Sequence, residues 1–169
     1  VLEVTFENKS IDDILNLTID DAVAFFEKHD QTKIKNKLQP LQDVGLGYVT
    51  LGQSSSTLSG GEAQRIKLAT FLGKGNTKET ALFIFDEPTT GLHFHDIKKL
   101  LKSFNALIEK GHSIIVVEHN LELIKCADHI IDLGPEGGEN GGAIMASGTP
   151  EEVALSNKSF TGNYLKNKL

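Results

Sequence analysis

The sequence predicts an α/β fold in which a mostly helical segment is followed by a parallel strand, a crossover helix and a second strand. Three observations carry this. Ala81-Leu-Phe-Ile-Phe85 and Ser113-Ile-Ile-Val-Val-Glu118 contain continuous apolar runs, the pattern of strands buried on both faces of a parallel sheet. Between them Ile97, Leu100, Leu101, Phe104, Leu107 and Ile108 keep helical spacing, an apolar stripe that stops at Gly111. Ahead of them, Ser10-Ile-Asp-Asp13 and Thr18-Ile-Asp-Asp21 place a hydroxyl three residues before a carboxylate. That pattern caps free N–H groups and favours the positive end of a helix dipole.

In chain order, Leu2-Glu-Val-Thr-Phe6 alternates apolar with polar residues and predicts a short half-buried strand. Helices follow the Ser10 and Thr18 caps, with Phe25 and Phe26 expected in the core. A third helix, marked by Ile34, Leu38, Leu41 and Val44, carries Pro40 and is expected to kink or break there before stopping near Gly45 and Gly47. Polar residues 53–57 form a loop feeding Leu58-Ser-Gly-Gly-Glu-Ala-Gln-Arg65, after which Ile66, Ala69 and Leu72 or Phe71 keep helical spacing. Gly73 to Thr80 is expected to be an exposed loop. Beyond the second strand, Asn120 caps a helix reaching about Ala127, with Cys126 as a small buried residue. Ile130–Leu133 and Ala143–Ala146 flank a glycine cluster as a hairpin, whose turn needs positive φ at Gly137, Gly138, Gly141 and Gly142. Thr149-Pro-Glu-Glu152 starts the last helix, with cap, N1 proline and N3 acid in order.

With 169 residues, 39% apolar and 24% charged, the chain can build one core; it is expected to be one globular unit or a piece of something larger. A single cysteine, Cys126, excludes an intrachain disulfide, and no Cys/His cluster has zinc-ligand spacing. The longest apolar run, Ala22 to Phe26, is far short of the ~20 residues that cross a bilayer. A soluble, unexported, cytoplasmic protein without a membrane partner is the expectation. The net charge of −6, from 17 basic and 23 acidic residues, supplies no global field for a phosphate backbone. Lys98, Lys99 and Lys102 therefore read as a solvated helix face.

Chemistry gathers where the first apolar strand ends. Open α/β sheets hold ligands outside the carboxyl ends of their strands, and Asp86 and Glu87 sit there side by side. Alternation along a strand would point them to opposite sides, one to hold Mg²⁺ and one to orient an attacking water, a division suited to phosphate hydrolysis. The plainer reading is that Asp-Glu-Pro only ends a strand. His119 follows the second strand on the same rim, where a neutral imidazole can hydrogen-bond a terminal phosphate or the water; alone it reads as a structural histidine. Ser59-Gly60-Gly61 at a helix N-terminus offers a hydroxyl and unobstructed amides to an anion, or else simply caps the helix. A specified five-residue string such as Leu58-Ser-Gly-Gly-Glu62 arises by chance at roughly one position in three million. His93 and His95, at i and i+2, would point apart on a helix and make no metal site.

The order Leu-Ser-Gly-Gly-Glu, apolar strand with Asp-Glu, then Glu-His after the next strand resembles the ATP-binding cassette (ABC) family. The resemblance implies that Leu58 to Gln64 is the signature, with Leu58, Ser59, Gly60, Gly61, Glu62 and Gln64 at the nucleotide. Ala81 to Asp86 would be the Walker B strand with Asp86 serving Mg²⁺, Glu87 the catalytic glutamate, Gly91 to His93 the D-loop region, and His119 the switch histidine. That family binds ATP between two cassettes. Ser59, Gly60 and Gly61 would then face a nucleotide held by a partner cassette, while Glu87 and His119 serve the other site.

Asp-Glu-Pro-Thr-Thr-Gly-Leu-His93, Glu-His-Asn-Leu121, Ile-Asp-Leu-Gly-Pro-Glu-Gly-Gly138 and Ser-Gly-Thr-Pro-Glu-Glu152 are more specifically similar to the C-terminal cassette of bacterial excinuclease A proteins, damage-scanning ATPases of nucleotide excision repair. This likeness runs over nearly the whole chain. It implies the C-terminal part of an ABC-type P-loop ATPase core, a mixed or parallel sheet with flanking helices, preceded by a mostly helical signature segment. Residues 1–78 would form that segment, and 79–169 the half-core with Walker B strand, D-loop and switch histidine. ATP and Mg²⁺ are the implied cofactors. Damaged double-stranded DNA, the excinuclease B protein, a partner ATP-binding cassette and a homodimer are the implied partners.

No Gly-x-x-x-x-Gly-Lys-Ser/Thr occurs, and Gly73-Lys-Gly-Asn76 has neither the spacing nor the preceding strand of a P-loop. The resemblance puts that loop, and a zinc module, upstream of Val1. The expectation is a fragment, inactive alone, of a longer ATPase, with apolar surface on Ala81–Phe85 bared by the missing sheet neighbours. Two rivals are a nucleotide-binding subunit of an ABC transporter and a non-catalytic binding module.

Overall fold

Local capping builds the first elements of the computed structural model, which describes residues 3–73, 80–136, 138 and 141–169. Leu2, residues 74–79 of the expected loop and Gly137 of the glycine cluster lie outside them. The chain forms two compact units, Val1–Val117 and Glu118–Leu169.

In the first unit, β1 (Thr5–Phe6) and β2 (Lys9–Ser10) pair antiparallel. Glu7 and Asn8 between them both adopt left-handed φ, 49° and 62°, the conformation of a tight two-residue hairpin turn. The expected half-buried strand is thus a short hairpin with an exposed first strand and a half-buried second one, because the turn intervenes after Phe6. Ser10 and Asp13 close a reciprocal capping box on α1 (Ile11–Leu15): the Asp13 amide donates to Ser10 Oγ at 3.2 Å and the Ser10 amide to Asp13 Oδ2 at 2.8 Å. Thr18 caps α2 (Ile19–Lys28), which buries Ile19, Ala22, Val23 and Phe26. Phe25 is half-buried against Phe6 and His29. Helix α3 (Thr32–Asp43) continues through Pro40 without the expected break. Proline there is in the last turn, where one lost N–H frees a single carbonyl and the helix is about to end at Gly45, φ 80°.

Ser59 caps α4 (Gly60–Leu72), whose buried side is Gly61, Arg65, Leu68 and Ala69. The stripe is therefore rotated from the one expected around Ile66 and Leu72. Strand β3 (Leu82–Asp86), helix α5 (Phe94–Glu109) and strand β4 (Ser113–Val117) make the expected strand–helix–strand unit, with β3 and β4 parallel from Leu82↔Ser113 to Asp86↔Val117. Phe71 of α4 and Phe104 of α5 pack on Phe83 and Phe85, with ring centroids 4.7 and 4.9 Å apart. The opposite face is open: Leu82, Ile84, Ile115 and Val117 are 57, 66, 50 and 57% exposed. Burial on both faces, expected from the continuous apolar runs, is corrected to burial on one. A two-stranded sheet has helices on that side, and among the described residues its other side is bare.

The second unit begins with α6 (Leu121–Ile124), capped by Asn120 and shorter than expected. Cys126 lies beyond its end and is exposed, not buried. Strands β5 (Ile130–Gly134) and β6 (Ala143–Gly148) form the expected antiparallel hairpin, with Gly138 and Gly142 at φ 68° and 81°. Helix α7 (Pro150–Leu155) carries the Thr149–Glu152 capping box. No sequence pattern announced α8 (Phe160–Leu165): Ser159 caps it, and both Ser159 Oγ (2.5 Å) and Thr161 Oγ1 (2.8 Å) donate to the Asp132 carboxylate on β5. Ile130, Val153, Ala154 and Leu165 form the core here. Among the described residues, no helix is long and apolar enough to cross a membrane.

Two expected results test this unit. A Cβ at Gly162 would overlap the Val153 carbonyl oxygen, backbone that cannot swing aside, so Gly162→Ala should destabilise the α7–α8 pair by about 1–3 kcal/mol, read as a lowered thermal midpoint. Glu122 is held down to about 2 by hydrogen bonds from Lys125 and then Lys168, which lies past the end of α8. A carboxylate depressed in the folded state stabilises fully above its ordinary pKa and loses that contribution as pH falls through its folded one. Acid should therefore loosen the Lys168 contact between about pH 4.5 and 2, and Lys168→Ala should raise the Glu122 midpoint in a carboxyl NMR titration.

Candidate functional site

Helix α4 starts at Ser59 with a second complete capping box. The Glu62 amide donates to Ser59 Oγ at 3.2 Å, and the Ser59 amide donates to Glu62 Oε2 at 2.7 Å. Ser59 is thus a cap, the plainer of its two sequence readings, and its hydroxyl also bonds the Glu62 carboxylate. Gly60 is exposed, with open space where a Cβ would stand. Gly61 is buried, and a Cβ there would meet Arg65 Nη1 at 3.3 Å and the carbonyls of Thr90 and Glu87 at 3.4 and 3.5 Å. Leu58 is half-buried, lining a small cleft with Leu41, Leu46 and Ile66, so it anchors the loop by packing.

Glu62 has a third contact: the Tyr48 hydroxyl donates to Glu62 Oε1 at 2.7 Å. That bond, followed by the Ser59 amide, holds the Glu62 carboxyl below its usual range. The Tyr48 hydroxyl is pushed up, chiefly by burial and then by its bond to the carboxylate.

One turn into α4, Gln64 makes a two-way bond to the strand tip: Nε2 donates to the Asp86 carbonyl at 3.0 Å, and the Asp86 amide donates to Oε1 at 3.1 Å. A carboxamide is the side chain that matches a peptide unit in this fashion, with one donor and one acceptor. Gln64 is thus committed to the Asp86 backbone. Arg65 follows, fully buried, with Nη1 donating to the carbonyls of Pro88 at 2.7 Å and Thr90 at 3.2 Å.

The Asp86 and Glu87 side chains are both exposed. Asp86 is the last residue of β3. The Glu87 amide still donates to the Val117 carbonyl at 2.9 Å, but its φ of 46° is left-handed. Strand alternation therefore does not set the direction of Glu87; a left-handed turn does. Such a conformation costs a non-glycine residue roughly 1–2 kcal/mol and recurs where a side chain is held for use. Arg65 and Gln64 clamp the backbone on both sides of it.

His119 belongs to the second unit and is exposed. Its amide and that of Asn120 both donate to Glu118 Oε2, at 2.8 and 2.9 Å, which fixes the backbone at the start of α6. Within the first unit, the structure brings together Leu58–Gln64 and Asp86–Glu87. Sequence reasoning missed Tyr48 and Arg65. A signal existed for Arg65, since a cation at i, with Gly61 at i−4 and Leu68 and Ala69 at i+3 and i+4, stands on an apolar stripe. Tyr48 lies in an irregular stretch and gave none.

The residues fit a phosphate and its cation. Ser59 and the exposed Gly60 lie at the positive end of a 13-residue helix. Among the described residues, no three His, Cys, Asp or Glu gather to cage a metal. Mg²⁺ needs no cage, since it is commonly held by one or two carboxylates with phosphate oxygens and water, and Asp86 offers a carboxylate.

Comparison with known proteins is consistent with this geometry. No family model matches the chain. Over 168 residues, 99% of its length, the chain is 60% identical to UvrABC system protein A of Clostridium acetobutylicum and 58% identical to that of Aquifex aeolicus, and it spans 18% of each. The crystal structure of UvrA2 from Deinococcus radiodurans superposes with a TM-score of 0.82 at 44% identity, covering 99% of this chain and 20% of that one. The chain is therefore a segment of the UvrA family, an ABC-type ATPase fold, spanning less than a fifth of the length of the curated relatives it matches.

Proposed function

We propose that these residues form the C-terminal half-core of a UvrA-type ATPase, in which ATP binding and hydrolysis gate damaged-DNA binding and the loading of the excinuclease B protein. The observation that carries it is the Gln64–Asp86 pair of hydrogen bonds, which joins the helix bearing Ser59-Gly60-Gly61 to the strand tip bearing Asp86 and Glu87. In this reading Glu87 orients and polarises the water that attacks the γ-phosphate, and its clamped backbone keeps the carboxylate at one position. Asp86 would hold Mg²⁺, which would neutralise phosphate charge. His119 hydrogen-bonds the terminal phosphate. Ser59, Gly60 and Gly61 donate to a nucleotide held mainly by a partner cassette, while Glu62 and Gln64 hold the cradle rather than the ligand.

The expected segments 1–78 and 79–169 separate the signature from the strand-tip carboxylates along the chain, whereas the compact units divide between Val117 and Glu118. In this reading the P-loop and any zinc are supplied by other parts of a longer UvrA-type protein. The test is ATP turnover by that longer protein with intact and ultraviolet-damaged duplex, beside the isolated chain. Turnover by the longer protein that responds to damage, with weak ATP·Mg²⁺ binding by the isolated chain, is expected. A longer protein that does not hydrolyse ATP overturns the reading.

A further inference from the structure

A buried cation is expensive unless its surroundings are arranged for it, and an apolar residue of similar volume often serves packing as well or better. Arg65 is 0% exposed, on the inward side of α4 between Gly61 and Leu68. Its Nη1 donates to the Pro88 and Thr90 carbonyls, Nη2 donates to the Tyr48 hydroxyl oxygen at 3.3 Å, and buried Nε has no hydrogen-bond partner among the described residues. A side chain kept charged, buried and incompletely bonded is held for its direction. Pro88 and Thr90 belong to the turn that presents Glu87, closed by the Thr90 amide on the Glu87 carbonyl at 3.1 Å.

The other end reaches the helix cap. Tyr48 has one proton to give, and it goes to Glu62 Oε1 while the same oxygen accepts from Arg65. Glu62 in turn holds the Ser59 amide. A continuous hydrogen-bonded chain thus links Ser59, Glu62, Tyr48 and Arg65 to the Pro88 and Thr90 carbonyls beyond Glu87, with Ser59 and Tyr48 both donating to Glu62 and Arg65 donating at either end. An anion at Ser59 and Gly60 competes with Glu62 for the Ser59 amide, and any movement of Glu62 loads the Tyr48 bond.

We propose that Tyr48 and Arg65 are positioning residues, a relay by which the anion-facing cap of α4 sets the turn that presents Glu87. This rests on the ATPase reading above. In the ABC arrangement that cap faces one nucleotide and Glu87 the other, so the relay couples two sites across one cassette.

The test uses the full-length protein with Tyr48→Phe, Arg65→Lys, their double variant and Glu87→Gln as reference. Tyr48 is half exposed and loses one oxygen atom, so the fold is kept. Tyr48→Phe should lower kcat for ATP about 3- to 10-fold, the worth of one hydrogen bond, with KM changed less than about twofold. The double variant should be no slower than Arg65→Lys alone, because both break the same chain. A role confined to stability would lower the unfolding midpoint and leave kcat per folded molecule unchanged. If Glu87→Gln abolishes turnover while Tyr48→Phe keeps the parental kcat, or if the two relay losses multiply, the relay is overturned and the ATPase reading stands. If Glu87→Gln turns over normally, both fall.

Discussion

In the full-length protein, Glu87→Gln is expected to bind ATP as tightly as the parent and to turn it over about 10²- to 10⁴-fold more slowly, the range for losing a positioned general base. Glutamine has the same shape and can still hydrogen-bond water, but it takes no proton. It meets the left-handed backbone at position 87, φ 46°, with the same strain as glutamate, so backbone conformation does not distinguish the two. Glu87→Gly makes the complementary case: it removes the carboxylate while relieving the backbone strain, and should be as inactive. Binding is read by nucleotide titration, turnover by phosphate release and stability by thermal unfolding. Parental turnover in Glu87→Gln would remove Glu87 from the mechanism.

The largest expected loss of stability is Phe104→Ala, at about 3–5 kcal/mol for deleting a buried aromatic ring. Phe104 is buried on α5 with its ring 4.9 Å from that of Phe85, which stacks beside Phe83, itself edge-on to Phe71. These four rings cover the single buried face of β3, so the space left by one is bounded by the others and cannot readily collapse. Denaturant titration should show a lower midpoint with little change in slope. A loss under about 1 kcal/mol would mean the face is not held by this cluster. Because Asp86 ends that strand, such loosening would also reach the site.

Much of the chain was legible because its signals are short-ranged. The boxes at Ser10, Ser59 and Thr149 each close within three residues, and the structure has all three. The strand–helix–strand unit was readable from two apolar runs and one stripe, and the residues of the strand tip followed from where the first run stops. What misled was equally local. A continuous apolar run speaks for burial on both faces only if two layers are present, and the described helices supply one. Proline in a helix breaks an interior turn, but Pro40 is in the last.

By itself the sequence determined the order of elements, the caps, the likeness to excinuclease A proteins and the residue types gathered at Asp86, Glu87 and Ser59. Only the tertiary structure decided how they are held. It buried Arg65 against carbonyls more than 20 residues away, turned Glu87 left-handed at a strand end, committed Gln64 to the Asp86 backbone, and used Asp132 to fix a helix starting at Phe160. The physical reason is separation along the chain. A cap or a periodic stripe is satisfied by neighbours a few residues apart, which a sequence displays directly. A buried cation or a strained carboxylate is satisfied by partners that only folding brings within hydrogen-bonding distance.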